Sequence, residues 1–285
     1  MVQPKVIFLG NCQAQSFESL AGHLNLGIEI ISAPPIWEVT EANVENLIEK
    51  ISSADIVFSQ RMSPRYPVTF VRNAVLKERF GAKVIVWPNI YFDGYFPGVR
   101  YLYNELGKVV GPLRDYHFQW IIDGWREGLS VDETALTVIR PSSWTGSADF
   151  LEVSLRELRL REKDADVKIS DYIQNNFRRN KLFYSMNHPK TSVLGEMLRR
   201  MLSWADIPYH QNGIESYSYN LDEIIIPAFP IFRDRYRPTF KDDDKFKGVA
   251  ISTETGNPEN KVEYYGLSSL IECYYRFYDR VQPDT

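Results

Sequence analysis

The spacing of apolar residues predicts an α/β fold: a doubly wound, mostly parallel sheet with a helical insert and an irregular C-terminal extension. Four short β-branched and aromatic runs, Val6–Leu9, Ile28–Ile31, Ile56–Phe58 and Val84–Trp87, follow one another early in the chain. Each is separated from the next by a segment with helical spacing, the alternation that a parallel sheet requires. The composition of the 285 residues, 44% hydrophobic and 25% charged with 14% aromatic, is that of a folded chain able to bury a large core.

Val6–Leu9 runs into a glycine turn, after which Gln15–Leu20 begins a helix. Val44, Leu47, Ile48 and Ile51 fall three and four apart, and Val68, Val71 and Val75 do likewise, as helices covering a sheet face should. Pro88–Gly98 is an aromatic loop too rich in turn residues for a regular element, and long ordered loops are usually functional. Arg114–Gly128 reads as an amphipathic helix stopped by Gly128. Ala148–Arg161 reads as a second, with Phe150, Leu151, Leu155 and Leu158 on one face; together they form a helical insert over about residues 100–180. Leu182–Met186 returns to strand character. Ser192–Trp204, with Val193, Leu194, Met197, Leu198, Met201 and Leu202 at helical spacing, completes a fifth βα unit. Beyond it the sequence predicts a helix near Leu267–Phe277 and a solvated loop at the charge run Lys241–Lys247. On this reading residues 1–205 form an α/β catalytic domain with its insert, and residues 206–285 an extension packed on it.

A net charge of -4 argues against the broad cationic surface that duplex nucleic acid requires, so an anionic ligand would need a local basic pocket. The run Val6–Leu9 is too short for a signal segment, and no stretch approaches the ~18 uncharged apolar residues that span a bilayer, so a cytoplasmic protein without an integral membrane segment is expected. The two cysteines, Cys12 and Cys273, make neither a disulfide framework nor a paired metal-ligand spacing, and no metal site is expected.

Cys12 follows the first predicted strand and precedes a helix, which puts its thiol at the sheet edge where open α/β folds bind ligands. A helix N-terminus favours the thiolate, so Cys12 is expected to titrate below a free thiol. Gly10 suits the tight turn, and Asn11, Gln13 and nearby backbone N–H groups suit an oxyanion. The competing reading is a small buried residue of a βα turn. His188 follows the strand Leu182–Met186 and precedes a helix, so the same edge should receive it as a general base; the alternative is a histidine that caps a turn before Pro189. His23 reads as structural, His117 as core or rim at a helix start, and His210 as exposed. Ser59-Gln60-Arg61 and Pro88-Asn89 end two further strands at this edge; their amides suit an oxyanion, and Arg61 a phosphate or carboxylate. Arg178 and Arg179, with Lys181 and Lys190, form a basic cluster where an anionic cofactor tail could rest, although a solvated charged face needs no ligand.

The strand followed by Gly10-Asn11-Cys12-Gln13, the strand-end Ser59-Gln60-Arg61, the Pro88-Asn89 loop and Asn187-His188-Pro189 together resemble the WcbI-like capsular polysaccharide biosynthesis family, over about residues 5–205. The resemblance implies an SGNH-like or flavodoxin-like α/β fold, coenzyme A binding and O-acetylation of capsule sugars. It makes Cys12 the nucleophile and His188 its base, and places Gln60 and Asn89 where the SGNH pattern has oxyanion-stabilising residues. Ser185 stands where that pattern has an aspartate three residues before the histidine, so the group orienting His188 is unassigned. The C-terminal 80 residues carry no part of the resemblance.

The function expected from these residues is acyl transfer from acetyl-coenzyme A to a hydroxyl of a sugar or polysaccharide precursor, through an acyl-cysteine on Cys12 or directly with His188 activating the hydroxyl. A hydrolase that removes acyl groups would use the same residues on water. A non-catalytic coenzyme A or glycan-binding protein would leave Cys12 as inert packing.

Overall fold

Four β-branched and aromatic runs form the sheet that the sequence predicts. In the computed structural model, which describes residues 3–105, 107–139, 149–219 and 221–282, they are β1 (Lys5–Leu9), β2 (Glu29–Ile30), β3 (Ile56–Gln60) and β4 (Val84–Trp87). All pair in parallel in the order β2-β1-β3-β4, with Ile7 opposite Val57, Phe8 opposite Phe58 and Phe58 opposite Ile85. Because side chains alternate along a strand, the sheet presents two apolar faces. Ile7, Leu9, Val57, Val84 and Val86 cluster with Val44, Leu47 and Ile51 of α2 (Val44–Ser53) and with Leu76 of α3 (Asn73–Phe80). On the opposite face Phe8 stacks on Phe58, and Phe17 of α1 (Cys12–Leu24) meets Trp87 edge-on at 5.0 Å. Helices therefore cover both faces of one parallel sheet.

The chain divides into two compact units, each assembled from three segments. The first comprises Met1–Tyr91, Leu155–Asn175 and His188–Leu221; the second comprises Phe92–Ser154, Asn176–Asn187 and Asp222–Thr285. The first holds the sheet. The second holds two short antiparallel pairs, β5 (Val99–Arg100) with β8 (His117–Phe118) and β6 (Tyr103–Asn104) with β7 (Gly107–Lys108), together with α4 (Gln119–Arg126) and α5 (Val131–Ile139). Helix α6 (Phe150–Arg161) is the predicted second insert helix; Ala148, its predicted start, lies outside the described residues. It is followed by α7 (Ser170–Asn176) and by the short strands β9 (Phe183–Ser185) and β10 (His188–Pro189). Helix α8 (Thr191–Trp204) is the predicted regular helix.

Several expectations change. The predicted helix Arg114–Gly128 starts only at Gln119, because His117 and Phe118 pair with β5 as a strand. Helix α3 starts at Asn73, with only a 3-10 turn over Thr69–Val71 before it. Leu182–Met186 supplies β9, but β9 stays outside the four-stranded sheet, so there is no fifth strand of that sheet among the described residues. Phe92, Tyr95 and Phe96 of the aromatic loop are fully buried, and the Tyr95 hydroxyl donates to the carbonyls of Phe177 and Asn180, so this part of the loop is core.

The C-terminal extension is regular where irregularity was expected. It contains α9 (Pro230–Tyr236), the antiparallel hairpin of β11 (Phe246–Ile251) and β12 (Pro258–Tyr265), and α10 (Leu267–Val281), which packs on α4, α5 and β11. Nor is the charge run a solvated loop throughout. Lys181 Nζ lies 2.7 Å from Asp242 Oδ1, both side chains nearly buried, and Asp242 Oδ2 accepts from the Ala228 N–H at 2.6 Å. A buried charge persists only when it is paired in this way.

Candidate active site

Three of the four parallel strands end at one edge, and each leads there into predicted site residues. β1 runs into Gly10–Cys12, β3 ends at Gln60 with Arg61 beyond it, and β4 runs into Pro88 and Asn89. Gly10 has no room for a side chain: a Cβ there would lie 2.8 Å from Gln60 Cβ and 2.9 Å from Gln60 Oε1. Asn11 caps α1, its Oδ1 accepting from the Gln13 N–H at 3.0 Å. Gln60, buried at the end of β3, grips the same turn. Its Oε1 accepts from the Asn11 backbone N–H at 3.0 Å, while Nε2 donates to Asn11 Oδ1 at 3.2 Å and to Gln13 Oε1 at 3.3 Å. Gln13 extends the network to the segment after β4: Nε2 donates to the Ile90 carbonyl at 2.8 Å and Oε1 accepts from the Ile90 N–H at 3.1 Å. A continuous run of amide hydrogen bonds thus fixes Cys12 against the ends of three strands.

Gln60 therefore holds the turn in this structure, because its amide N–H groups point at Asn11 and Gln13. Asn73, which the sequence analysis did not single out, secures the end of β3. Its Nδ2 donates to Ser59 Oγ and to the Gln60 carbonyl, each at 3.0 Å, and its Oδ1 accepts from the Met62 N–H at 2.6 Å. The only local signal for it is an asparagine opening a helix.

Cys12, the first residue of α1, is half-buried. Burial pushes its thiol up to about 11, and the backbone N–H groups of Gln13 and Cys12 lower it by less. The expectation of a depressed thiol is thereby overturned, since desolvation of the anion outweighs stabilisation by the helix start. Asn89 Oδ1 and Arg61 Nε are buried without a hydrogen-bond partner among the described residues. Arg61 otherwise pairs with Asp164, Nη2 to Oδ2 at 3.0 Å.

His188 is half-buried in β10, and Lys190, with extended backbone, is the cap residue before α8. Helix α8 packs against α1, so the helices that follow His188 and Cys12 are neighbours. Within the second unit, Ser185 Oγ donates to the Tyr116 hydroxyl at 2.8 Å, and that hydroxyl donates to Asn187 Oδ1 at 2.6 Å. Ser185 and Tyr116 are buried, so these two hydrogen bonds tie Ser185 through tyrosine to Asn187 within the second unit. Nothing around Tyr116 in the sequence marks it for this. Arg178 and Arg179 are exposed in the second unit, where the Arg178 carbonyl accepts from the Thr239 N–H.

The remaining histidines are accounted for. His117 is fully buried between the Tyr278 hydroxyl, 2.8 Å from Nδ1, and the Val109 carbonyl, 3.0 Å from Nε2; burial pushes it down to about 4. His23 Nε2 lies 2.8 Å from the Gly213 carbonyl, and His210 is exposed. Among the described residues no group of three or more His, Cys, Asp or Glu is placed to share a metal ion, and no helix is long and apolar enough to cross a membrane.

A parallel sheet covered by helices on both faces, with a cysteine turn locked at its carboxyl edge, defines an α/β protein that presents a thiol where such folds bind ligands. The chain belongs to the WcbI family: the family model described as polysaccharide biosynthesis enzyme WcbI matches residues 5–210. Among solved structures it is similar to one of WcbI, described as a novel polysaccharide biosynthesis enzyme, in the native form without a disulfide bond between coenzyme A and one of its cysteines. The likeness has a TM-score of 0.70 at 20% identity and covers 98% of this chain and 90% of that one. No curated relative matches the chain.

Proposed function

We propose that this protein is an O-acetyltransferase that moves an acetyl group from acetyl-coenzyme A to a hydroxyl of a capsular or surface polysaccharide sugar in the cytoplasm, on an SGNH-like site built from Cys12 and His188. The observation that carries the reading is the Cys12 thiol, locked at the carboxyl edge of the sheet by the Asn11–Gln60–Gln13 network. That a WcbI structure is described by the absence of a disulfide bond between coenzyme A and one of its cysteines supports the choice of coenzyme A and of a cysteine. The donor set suits an amide-bearing thioester arm. Asn89 Oδ1 is a buried acceptor able to take an N–H, and Arg61 Nε a buried donor able to meet a carbonyl or phosphate. Lys190 is the cation proposed for the anionic tail, and Gly10, Asn11 and Gln13 the turn that receives the thioester end. Asn89 is the proposed oxyanion donor through its Nδ2, and Gln60 acts through the turn it holds.

A thiol raised to about 11 is not ionised in advance, so Cys12 needs a base in the step itself. His188 takes the Sγ proton as sulfur attacks the acyl carbonyl, and returns it to the departing coenzyme thiol. The resulting thioester on Cys12 is about as stable as the one consumed. His188 then takes the proton of the sugar hydroxyl as its oxygen attacks, and the Cys12 thiol is released by that proton's return. The high pKa equally favours a direct route, in which His188 activates the sugar hydroxyl against the bound thioester and Cys12 only lines the site.

Intact mass spectrometry after incubation with acetyl-coenzyme A, with and without an acceptor saccharide, tests the reading. One acetyl group gained at Cys12, and lost when acceptor is added, is expected. Turnover with His188→Ala dead and Cys12→Ala near normal would establish the direct route, and release of free acetate with no transfer would make the protein an esterase.

A further inference from the structure

The far end of α8 carries a cleft that acyl transfer does not use. Its volume is about 450 Å³ and its lining includes Asp166, Lys168, Arg199, Arg200, Ser203 and Trp204, a size suited to a small ligand. Trp204 ends the helix, roughly 20 Å from its start at Thr191 at 1.5 Å rise per residue. The arginines are pre-positioned. Arg200 donates from Nε to Glu196 Oε1 at 2.7 Å, from Nη1 to Asp171 Oδ1 at 2.6 Å and to the Lys168 carbonyl at 2.9 Å, and from Nη2 to Asp171 Oδ2 at 2.9 Å. Arg199 holds the same Glu196 with Nε and Nη2, each at 2.8 Å, and its Nη1 edge has no partner among the described residues.

Two side chains of the cleft have no use inside the protein. Trp204 is 58% exposed, although Val193, Leu194, Met197, Leu198, Met201 and Leu202 of the same helix are all buried. Lys168 is exposed, and its ammonium has no ion-pair partner among the described residues. The charges of Arg199 and Arg200 are matched by Glu196 and Asp171, and that of Asp166 by Lys77. One uncompensated cation beside an open indole face therefore remains. That suits a single carboxylate attached to an apolar ring face and falls short of what a pyrophosphate demands.

We propose that this cleft binds an acidic oligosaccharide. The C–H face of one sugar ring lies on the indole of Trp204, whose negative face attracts it. The carboxylate sits between Lys168 and the free edge of Arg199, a ring hydroxyl bonds Ser203, and Arg200 is the fixed floor. In a polysaccharide biosynthesis enzyme such a site grips sugar residues of the polymer remote from the one being modified. The inference rests on the family's role in polysaccharide synthesis and not on the chemistry of Cys12.

Calorimetric titration of the full chain with trigalacturonic acid, maltotriose and adenosine diphosphate tests it. Trigalacturonic acid is expected to bind more tightly than the other two, about tenfold more weakly to Trp204→Ala and roughly threefold more weakly to Lys168→Ala. Both side chains are exposed, so both variants should melt with the parent protein. Cys12→Ala should bind as the parent does, which separates this site from the fate of the acyl-transfer reading. Absence of trigalacturonic acid binding at millimolar concentration, an unchanged affinity in either variant at the cleft, or tighter binding of adenosine diphosphate overturns the proposal.

Discussion

At the scale of single residues, burial decides the chemistry of Cys12 and His117 against their local sequence. Cys12 has the helix start that ordinarily depresses a thiol, yet desolvation pushes it up to about 11. Alkylation by iodoacetamide, followed by mass spectrometry across pH 7–11, is expected to accelerate up to the top of that range; a plateau near pH 8 would contradict the burial argument. His117 shows the opposite sign. Its folded value lies near 4, below the ordinary 6.5, so the neutral ring is the native form. The unfolded chain binds the proton first, and stability that is fully present above pH 6.5 is lost as pH falls toward 4, by on the order of 3 kcal/mol in total. Melting temperature between pH 7 and 4 should fall less for His117→Gln than for the parent, and parallel curves would remove His117 from the acid sensitivity. Neither shift is legible in the sequence, because solvent access at Cys12 and His117 is created by distant segments: Tyr278 supplies the ring nitrogen's partner 161 residues away.

At the scale of elements, legibility follows periodicity. The strands β1, β3 and β4 are readable as short continuous apolar runs buried on both faces, and the helices α2, α8 and α10 because each buries one apolar face at the helical period. β9 is readable as a strand but not as to where it pairs, since a short buried apolar run looks the same in any sheet. The charge run hides Asp242 because charged residues are solvated by default, and Lys181 with the Ala228 N–H makes burial tolerable. At the candidate site the sequence marks the turn by Gly10 and Cys12, but the partnership of Gly10 with Gln60 joins two strands and has no sequence signature. That partnership can be measured. Gly10→Ala brings a Cβ to within 2.8 Å of Gln60 Cβ and is expected to cost about 1–3 kcal/mol by urea unfolding. Combined with Gln60→Gly, which removes both that Cβ and the Oε1 at 2.9 Å, the clash with residue 60 disappears, so the double variant should be less destabilised than the two singles added together. Strict additivity would show that the two residues do not press on each other.

At the scale of the whole molecule, the family match and the architecture end in different places. The match stops at residue 210, while the second unit draws a third of its segments from Asp222 onward, including buried Phe229, Phe232, Tyr274 and Tyr278. Truncation after residue 210 also removes Tyr217, whose hydroxyl donates to the Ser16 carbonyl in the first unit. The shortened chain is expected to lose near-ultraviolet circular dichroism and cooperative melting, even though it keeps the whole matched region. A cooperative transition in that chain would mean that the matched region folds alone.

The way the chain passes between the two units also sets a timetable for its birth on the ribosome. Domains ordinarily mature one after another as the N-terminal part emerges. Here the first unit, though it begins with the first strand, waits for α8 and the residues up to Leu221, and the second waits for α10. At 5–20 residues per second, the stretch from Tyr91 to Leu221 takes on the order of ten seconds, during which α1 lacks α8, the helix that packs against it. A nascent chain stalled near residue 200 should therefore recruit holdase chaperones, and release of the final turns of α10 should end that dependence.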